Sequence, residues 1–153
     1  MRLPLALAAC AIVLAGCGQS QTKAPAQPKL TDAERQAVLA SLPAPYNTAD
    51  LANGQAKFQL CRSCHTVVEG GPNMTGPNLH GVFGRAAGTN PTYKYSDALK
   101  GSGITWDAQH LDAWLAGPRT YLPGTKMSFP GLPEEKDRID LIAYLKVESG
   151  FRP

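Results

Sequence analysis

The chain has 153 residues, 43% hydrophobic and 18% charged, with 15 Gly, 13 Pro and a formal net charge of +3. That length holds one modest domain and excludes two ordinary ones with linkers, while the Gly and Pro content argues against a helical bundle with short connections. Cys10 and Cys17 lie in or just after an N-terminal apolar run, so only Cys61 and Cys64 belong to the folded part and a disulfide scaffold is excluded.

Met1-Arg2 is a short positive start, and Leu3 to Ala15 is an almost wholly apolar run of 13 residues. Crossing a hydrocarbon core takes ~20 residues in a helix, so this run reads as the apolar region of a secretory signal. Leu14-Ala15-Gly16-Cys17 resembles the lipobox of bacterial lipoproteins. That resemblance implies a signal peptide over 1–16, lipidation of Cys17, and a protein held by lipid at a membrane on the periplasmic side of a bacterial cell envelope. The inner membrane is favoured on functional grounds. The competing reading is an ordinary signal cut nearby, with Cys17 a chance thiol.

Residues 17–48 then read as a lipidated flexible tether, because small, polar and Pro-containing residues dominate its first part and cannot build a core. Thr31-Asp32-Ala33-Glu34 matches a capping box, which predicts a short helix within 31–42. Ala37, Val38 and Leu42 give it an apolar stripe, and sequence leaves open whether it swings in the tether or lies on the domain.

The domain is expected over 49–150, with 151–153 as a tail. Asp50–Leu60 predicts a helix with Leu51, Phe58 and the stem of Gln55 on one side, and with Gly54 in its middle. A mid-helix Gly costs about 1 kcal/mol relative to Ala and usually marks close packing. Gly70 to Gly88 holds six glycines and two prolines, a long irregular loop of the kind that wraps around something. Ser96 caps a short helix over 97–100, and Thr105 is expected to open another, with Leu111, Trp114 and Leu115 inward and Gly117-Pro118 as its end. The last helix has Pro133 in its expected first turn and Ile139, Leu141, Ile142, Tyr144 and Leu145 as its apolar positions. No alternating run is long enough for a sheet. The reading is all-α, with a core too thin for its loops unless something else fills the middle.

Cys61-Arg62-Ser63-Cys64-His65 is a C-x-x-C-H sequence, the attachment signal for c-type haem. Its thiols add across the haem vinyl groups and the adjacent imidazole coordinates iron. A thioredoxin-like pair would need a preceding strand, and none is predicted. A zinc site would need four ligands at suitable spacing, and only His80 and His110 remain.

Gly76–Arg85 (GPNLHGVFGR), Tyr95-Ser96-Asp97-Ala98, Gly103-Ile104-Thr105-Trp106, Tyr121–Met127 (YLPGTKM) and Asp140–Lys146 (DLIAYLK) together resemble the class I, mitochondrial-type cytochromes c. The resemblance runs in order from about Asn53 to Lys146 and leaves out the tether and lipobox. It implies the small cytochrome c fold, helices and long loops wrapped around one covalent haem c. Met74, Met127, His80, His110 and a lysine are the candidates for the sixth ligand. Met127 follows Pro-Gly-Thr-Lys, a turn that can project a side chain inward, and stands where the family places its axial methionine. Met74 lies nine residues after His65, on the histidine side in that family, and reads as filler or surface; His80 and His110 read as ordinary surface or loop histidines.

The resemblance also implies that the Pro77 carbonyl accepts the His65 ring proton, and that Arg85, Tyr95 and Trp106, with Thr125 close by, serve the inner propionate. Gly54, Phe58, Leu141 and Tyr144 match the crossing of first and last helices. Three features depart from the family. Leu99 replaces an asparagine, Trp114 replaces a tyrosine whose hydroxyl points at the methionine sulfur, and the basic ring around the haem edge is largely absent.

With His65 and Met127 bound, the iron has no open position, which favours a monomeric, non-enzymatic carrier of single electrons from a quinol–cytochrome c reductase to a terminal oxidase. Its partners are then redox proteins of the respiratory chain and a membrane, with no nucleic acid and no small-molecule substrate. A peroxidase-like enzyme with a labile Met ligand, and a fixed cytochrome subunit of a dehydrogenase or oxidase, are the alternatives.

Overall fold

The computed structural model describes residues 30–150; the expected signal peptide, Cys17, most of the expected tether and the 151–153 tail lie outside the described residues. Six helices follow in order: α1 (Asp32–Ala40), α2 (Leu51–Phe58), α3 (Asp97–Lys100), α4 (Ala108–Ala116), α5 (Pro118–Tyr121) and α6 (Glu135–Glu148), with a 3-10 turn at Tyr46–Thr48. Among the described residues no strand forms; one isolated antiparallel bridge joins Ala86 and Thr105. No described helix is long and apolar enough to cross a membrane.

The capping box closes α1 as its sequence predicts. Thr31 Oγ1 accepts from Glu34 N at 3.3 Å, and Glu34 Oε2 accepts from Thr31 N at 2.7 Å. The structure decides the placement that sequence left open, because α1 lies on the domain. Leu39 and Leu42 are buried against Ala143, with Tyr46, Ala49 and Leu51 beside them, and Arg35 pairs with Glu148 at 2.6 Å. Ala37, expected in the apolar stripe, is exposed, and Leu39 takes the inward place.

The centre of the fold is the crossing of α2 over α6. A Cβ on Gly54 would lie 2.2 Å from the Asp140 carbonyl oxygen and 2.7 Å from Tyr144 Cβ, so only glycine lets the backbones approach this closely. Phe58 and Tyr144 pack tilted at 5.5 Å beside the crossing, and Leu141, Ile142 and Ala143 are fully buried beneath it. Gln55 points to solvent instead of joining that face.

Two helix starts differ from expectation. Helix α4 begins at Ala108, because the Asp107 carboxylate caps it by accepting from His110 N at 2.7 Å. Thr105 is drawn into pairing with the 84–87 segment, where Ala87 N donates to Ile104 O and Trp106 N to Arg85 O. Helix α6 begins at Glu135, and the carbonyls of Leu132 and Pro133 accept from Arg138 Nη1 at 2.9 and 2.8 Å. Gly117-Pro118 ends α4 and also starts α5, with Pro118 at the first helical position.

Asp140 ties the crossing together. Its buried carboxylate accepts from Asp50 N at 2.9 Å, Asn53 Nδ2 at 2.7 Å and Lys136 Nζ at 2.5 Å. Burial alone would raise its pKa, but the hydrogen bonds from Lys136, Asn53 and Asp50 outweigh it and hold the carboxyl below the ordinary value. A depressed carboxylate stabilises the fold above the unfolded pKa, about 3.9, and that contribution is lost as pH falls through the folded value. Asp140→Asn should therefore lower stability at pH 7 by about 1–3 kcal/mol and flatten the decline of stability below pH ~4, as read by denaturant unfolding across a pH series.

Candidate haem-binding site

One cavity of about 340 Å³ occupies the middle of the domain. It is lined by Cys61, Cys64, His65, Pro77, Arg85, Tyr95, Trp106, Thr125 and Met127, so the structure gathers every haem-site residue the sequence singles out within the domain. Its remaining wall is mostly apolar, from Leu79, Val82, Leu99, Trp114, Leu115 and Leu145. Met74, His80 and His110 do not line it.

The C-x-x-C-H segment follows α2 as a tight turn, with Cys64 N and His65 N both donating to Cys61 O at 3.0 and 2.9 Å. The two cysteines are not joined. Burial, with the neighbouring Cys64, pushes the Cys61 thiol up to about 11, so it is not the low-pKa thiolate of a redox-active pair. Among the described residues no group of three or more His, Cys, Asp or Glu side chains is placed to hold a metal ion.

A loop laced against this turn holds the imidazole. Gly76 N donates to Cys64 O and Leu79 N to Thr66 O, both at 2.8 Å, while His65 Nδ1 donates to the Pro77 carbonyl at 2.7 Å. A carbonyl only accepts, so the proton sits on Nδ1 and Nε2 carries the lone pair. Burial lowers the His65 pKa and the Pro77 hydrogen bond raises it, with burial dominant, so the ring is neutral at pH 7 and free to donate to a metal. The ring lies flat over Gly76, where a Cβ would come within 2.2 Å of His65 Cε1.

Met127 is presented by the turn Leu122-Pro123-Gly124-Thr125. Thr125 N donates to Leu122 O at 3.2 Å, Gly124 takes φ +88°, and Thr125 Oγ1 then accepts from Met127 N at 3.2 Å. Arg85 is half-buried, donating to His80 O at 3.1 Å and Asn78 O at 3.4 Å. Burial raises the Tyr95 pKa and nearby Arg85 pulls it down. Three donor side chains, Arg85, Tyr95 and Trp106, thus line a largely apolar cavity, which suits a group that is apolar in its body and anionic at one edge. Trp114 packs edge-on between Trp106 at 5.3 Å and Tyr121 at 6.3 Å.

Sequence reasoning assigned no role to Asn78 and did not foresee what His80 packs against. Asn78 is buried, and its amide donates to Val68 O and Gly71 O, while Oδ1 accepts from His80 N at 2.6 Å. It staples the loop that holds Pro77. Its signal was present, an Asn inside a Gly- and Pro-rich loop where side-chain amides replace absent backbone pairing. His80 lies in the loop as expected, half-buried, and its ring packs against Gly150, where a Cβ would lie 2.2 Å from Cε1. His110 lies at the N-terminus of α4, with Nδ1 2.8 Å from Asp107 Oδ1.

A strandless helical domain, closed around one largely apolar cavity with an unjoined C-x-x-C pair and a neutral histidine in its wall, defines a c-type haem protein. The cytochrome c family profile matches residues 51–147, and the chain belongs to that family of monohaem electron carriers, which bind haem c covalently. It is 47% identical over 105 residues to cytochrome c of Kluyveromyces lactis, covering 68% of this chain and 96% of that one. A cytochrome c homolog of Bradyrhizobium diazoefficiens is 44% identical over 99 residues, covering 64% of this chain and 54% of that one. Cytochrome cH from Methylobacterium extorquens superposes with a TM-score of 0.60 at 47% identity, covering 64% of this chain and 98% of that one.

Gly76→Ala should push the His65 ring away from the Pro77 carbonyl, because the space its Cβ needs is already filled. The expected result is a clear fall in haem content per protein, measured as the ratio of Soret to protein absorbance.

Proposed function

We propose that this chain is a lipid-tethered carrier of single electrons between respiratory complexes, working on the periplasmic side of a bacterial envelope. The observation that carries the reading is that His65 and Met127 line the same cavity while Met74 stays outside it, 47% exposed. Cys61 and Cys64 would hold the haem covalently, and His65 and Met127 would coordinate its iron. The haem would supply a one-electron iron couple. A soft thioether and a largely apolar wall would both favour the reduced state and raise the potential. Pro77 would fix the imidazole, and Arg85, Tyr95, Trp106 and Thr125 would donate toward the propionate edge. With the iron held by two protein side chains, the site would offer no place for peroxide or another substrate, which favours a carrier over a peroxidase.

The charge pattern supports tethering over long-range steering. Residues 49–150 hold ten Lys and Arg against ten Asp and Glu. Lys57, Lys100, Lys136 and Arg138 are each ion-paired with an acid, at 2.5 to 2.8 Å. Arg62, Arg119 and Lys126 give at most a weak positive rim. Lipid at Cys17 then replaces steering by raising local concentration. Because α1 packs on the domain, the tether comprises the 14 residues 17–30.

In the oxidised protein, Met127→Ala should abolish the far-red sulfur-to-iron band and Met74→Ala should leave it intact. The opposite pattern would reassign the ligand. Cys17→Ser should block lipid-dependent processing without reducing haem attachment, read by membrane fractionation and haem staining. Oxidase reduction by the tethered protein should change little across a salt series, whereas the untethered variant should be slower throughout. A steep salt dependence of the tethered form would show that charge does the recruiting.

A further inference from the structure

The segment from Thr31 to Ala49 lies outside the family match, which begins at residue 51, yet it is fixed to the domain. It runs antiparallel to α6. Arg35 pairs with Glu148 near the C-terminal end of α6, Leu39 and Leu42 close on Ala143, and Asp50 N reaches Asp140. On α6 it is Leu145 that lines the haem cavity, and Ala143 sits about 200° away around the axis. No residue of this segment lines the cavity, and neither do Ala143 and Glu148, on which α1 rests.

We propose that this segment is an orienting strap. It fixes the point where the N-terminal chain leaves the domain on the side of α6 away from the haem cavity. The exposed cavity rim, at Ser63, Lys126 and Ser128, therefore points away from the membrane and toward redox partners. This rests on attachment through Cys17. Undocked, the 32 residues 17–48 would separate Cys17 from the domain, so either face could meet the lipid. Docked, only the 14 residues 17–30 precede the strap, and the chain enters on the strapped side, which is thereby kept nearest the membrane. Arg35 and Leu39 are then positioning residues for the whole domain.

The test is paramagnetic broadening of backbone amides in the ferrous holoprotein, attached to nanodiscs that contain a gadolinium-chelating lipid. Protein lipidated in the cell is used as purified from membranes. If Cys17 carries no lipid, Cys10→Ser holoprotein is coupled through Cys17 to a maleimide phospholipid, so the strap is tested even where the lipoprotein reading has failed. Broadening at Arg35 and Gly150 should exceed that at Ser63 and Ser128 several-fold. In Leu39→Asp/Leu42→Asp that ratio should fall toward one with an unchanged haem spectrum. Should the double variant not assemble, Arg35→Glu, which faces Glu148, should shift the ratio the same way. A ratio near one in the unaltered protein, or a ratio that neither release changes, overturns the orienting role.

Discussion

The space between the C-x-x-C-H turn and the Met127 turn is where a small domain would normally place its densest packing, and here it is a cavity of about 340 Å³. Polypeptide alone maintains such a space only at a cost, because the apolar side chains facing it forgo packing contacts. Filling it with haem is therefore the constraint on which the rest depends. The loops around it carry few backbone ladders of their own, and they are held by single side chains such as Asn78, Arg85 and Thr125. These bonds aim the loops at the cavity, and the haem supplies the apolar contact that makes aiming them worthwhile.

The α2–α6 crossing is held largely by contacts outside that cavity. Gly54 lets the backbones meet, and Asp140 joins the N-terminus of α2 to the side of α6. The crossing then serves two surfaces. Through Leu145 it closes the haem cavity, and through Ala143 it receives α1. A helix pair buried on both sides tolerates little change, which explains why Leu141, Ile142 and Ala143 are all fully enclosed. The N-terminal addition thus uses a face of α6 that does not line the cavity.

Much of this was legible in residues whose chemistry is local. Thr31 and Glu34 cap each other within one turn, and Pro123-Gly124 sets the bend that delivers Met127. C-x-x-C-H named the cofactor because three reactive groups within five positions have few other uses. What escaped was set by distant partners. Thr105 has every local credential of an N-cap, but the 84–87 segment claims it and Asp107 caps α4 instead. Pro133 was placed inside α6, whereas Arg138 takes its carbonyl and the helix starts later. His80 stands in a polar loop, and only the path of the chain after α6 brings Gly150 against its ring. Whether α1 would dock depended likewise on Ala143 and Glu148, more than a hundred residues away.

The central claim is that haem completes the core of this domain instead of occupying a pocket in a fold already complete. The most direct measurement is thermal unfolding, by near- and far-ultraviolet circular dichroism, of the haem-free Cys61→Ser/Cys64→Ser chain beside the holoprotein. The account predicts that the haem-free chain loses its aromatic signal and its cooperative transition, while the holoprotein unfolds in a single step. A haem-free chain that keeps both, with a midpoint close to that of the holoprotein, would contradict it.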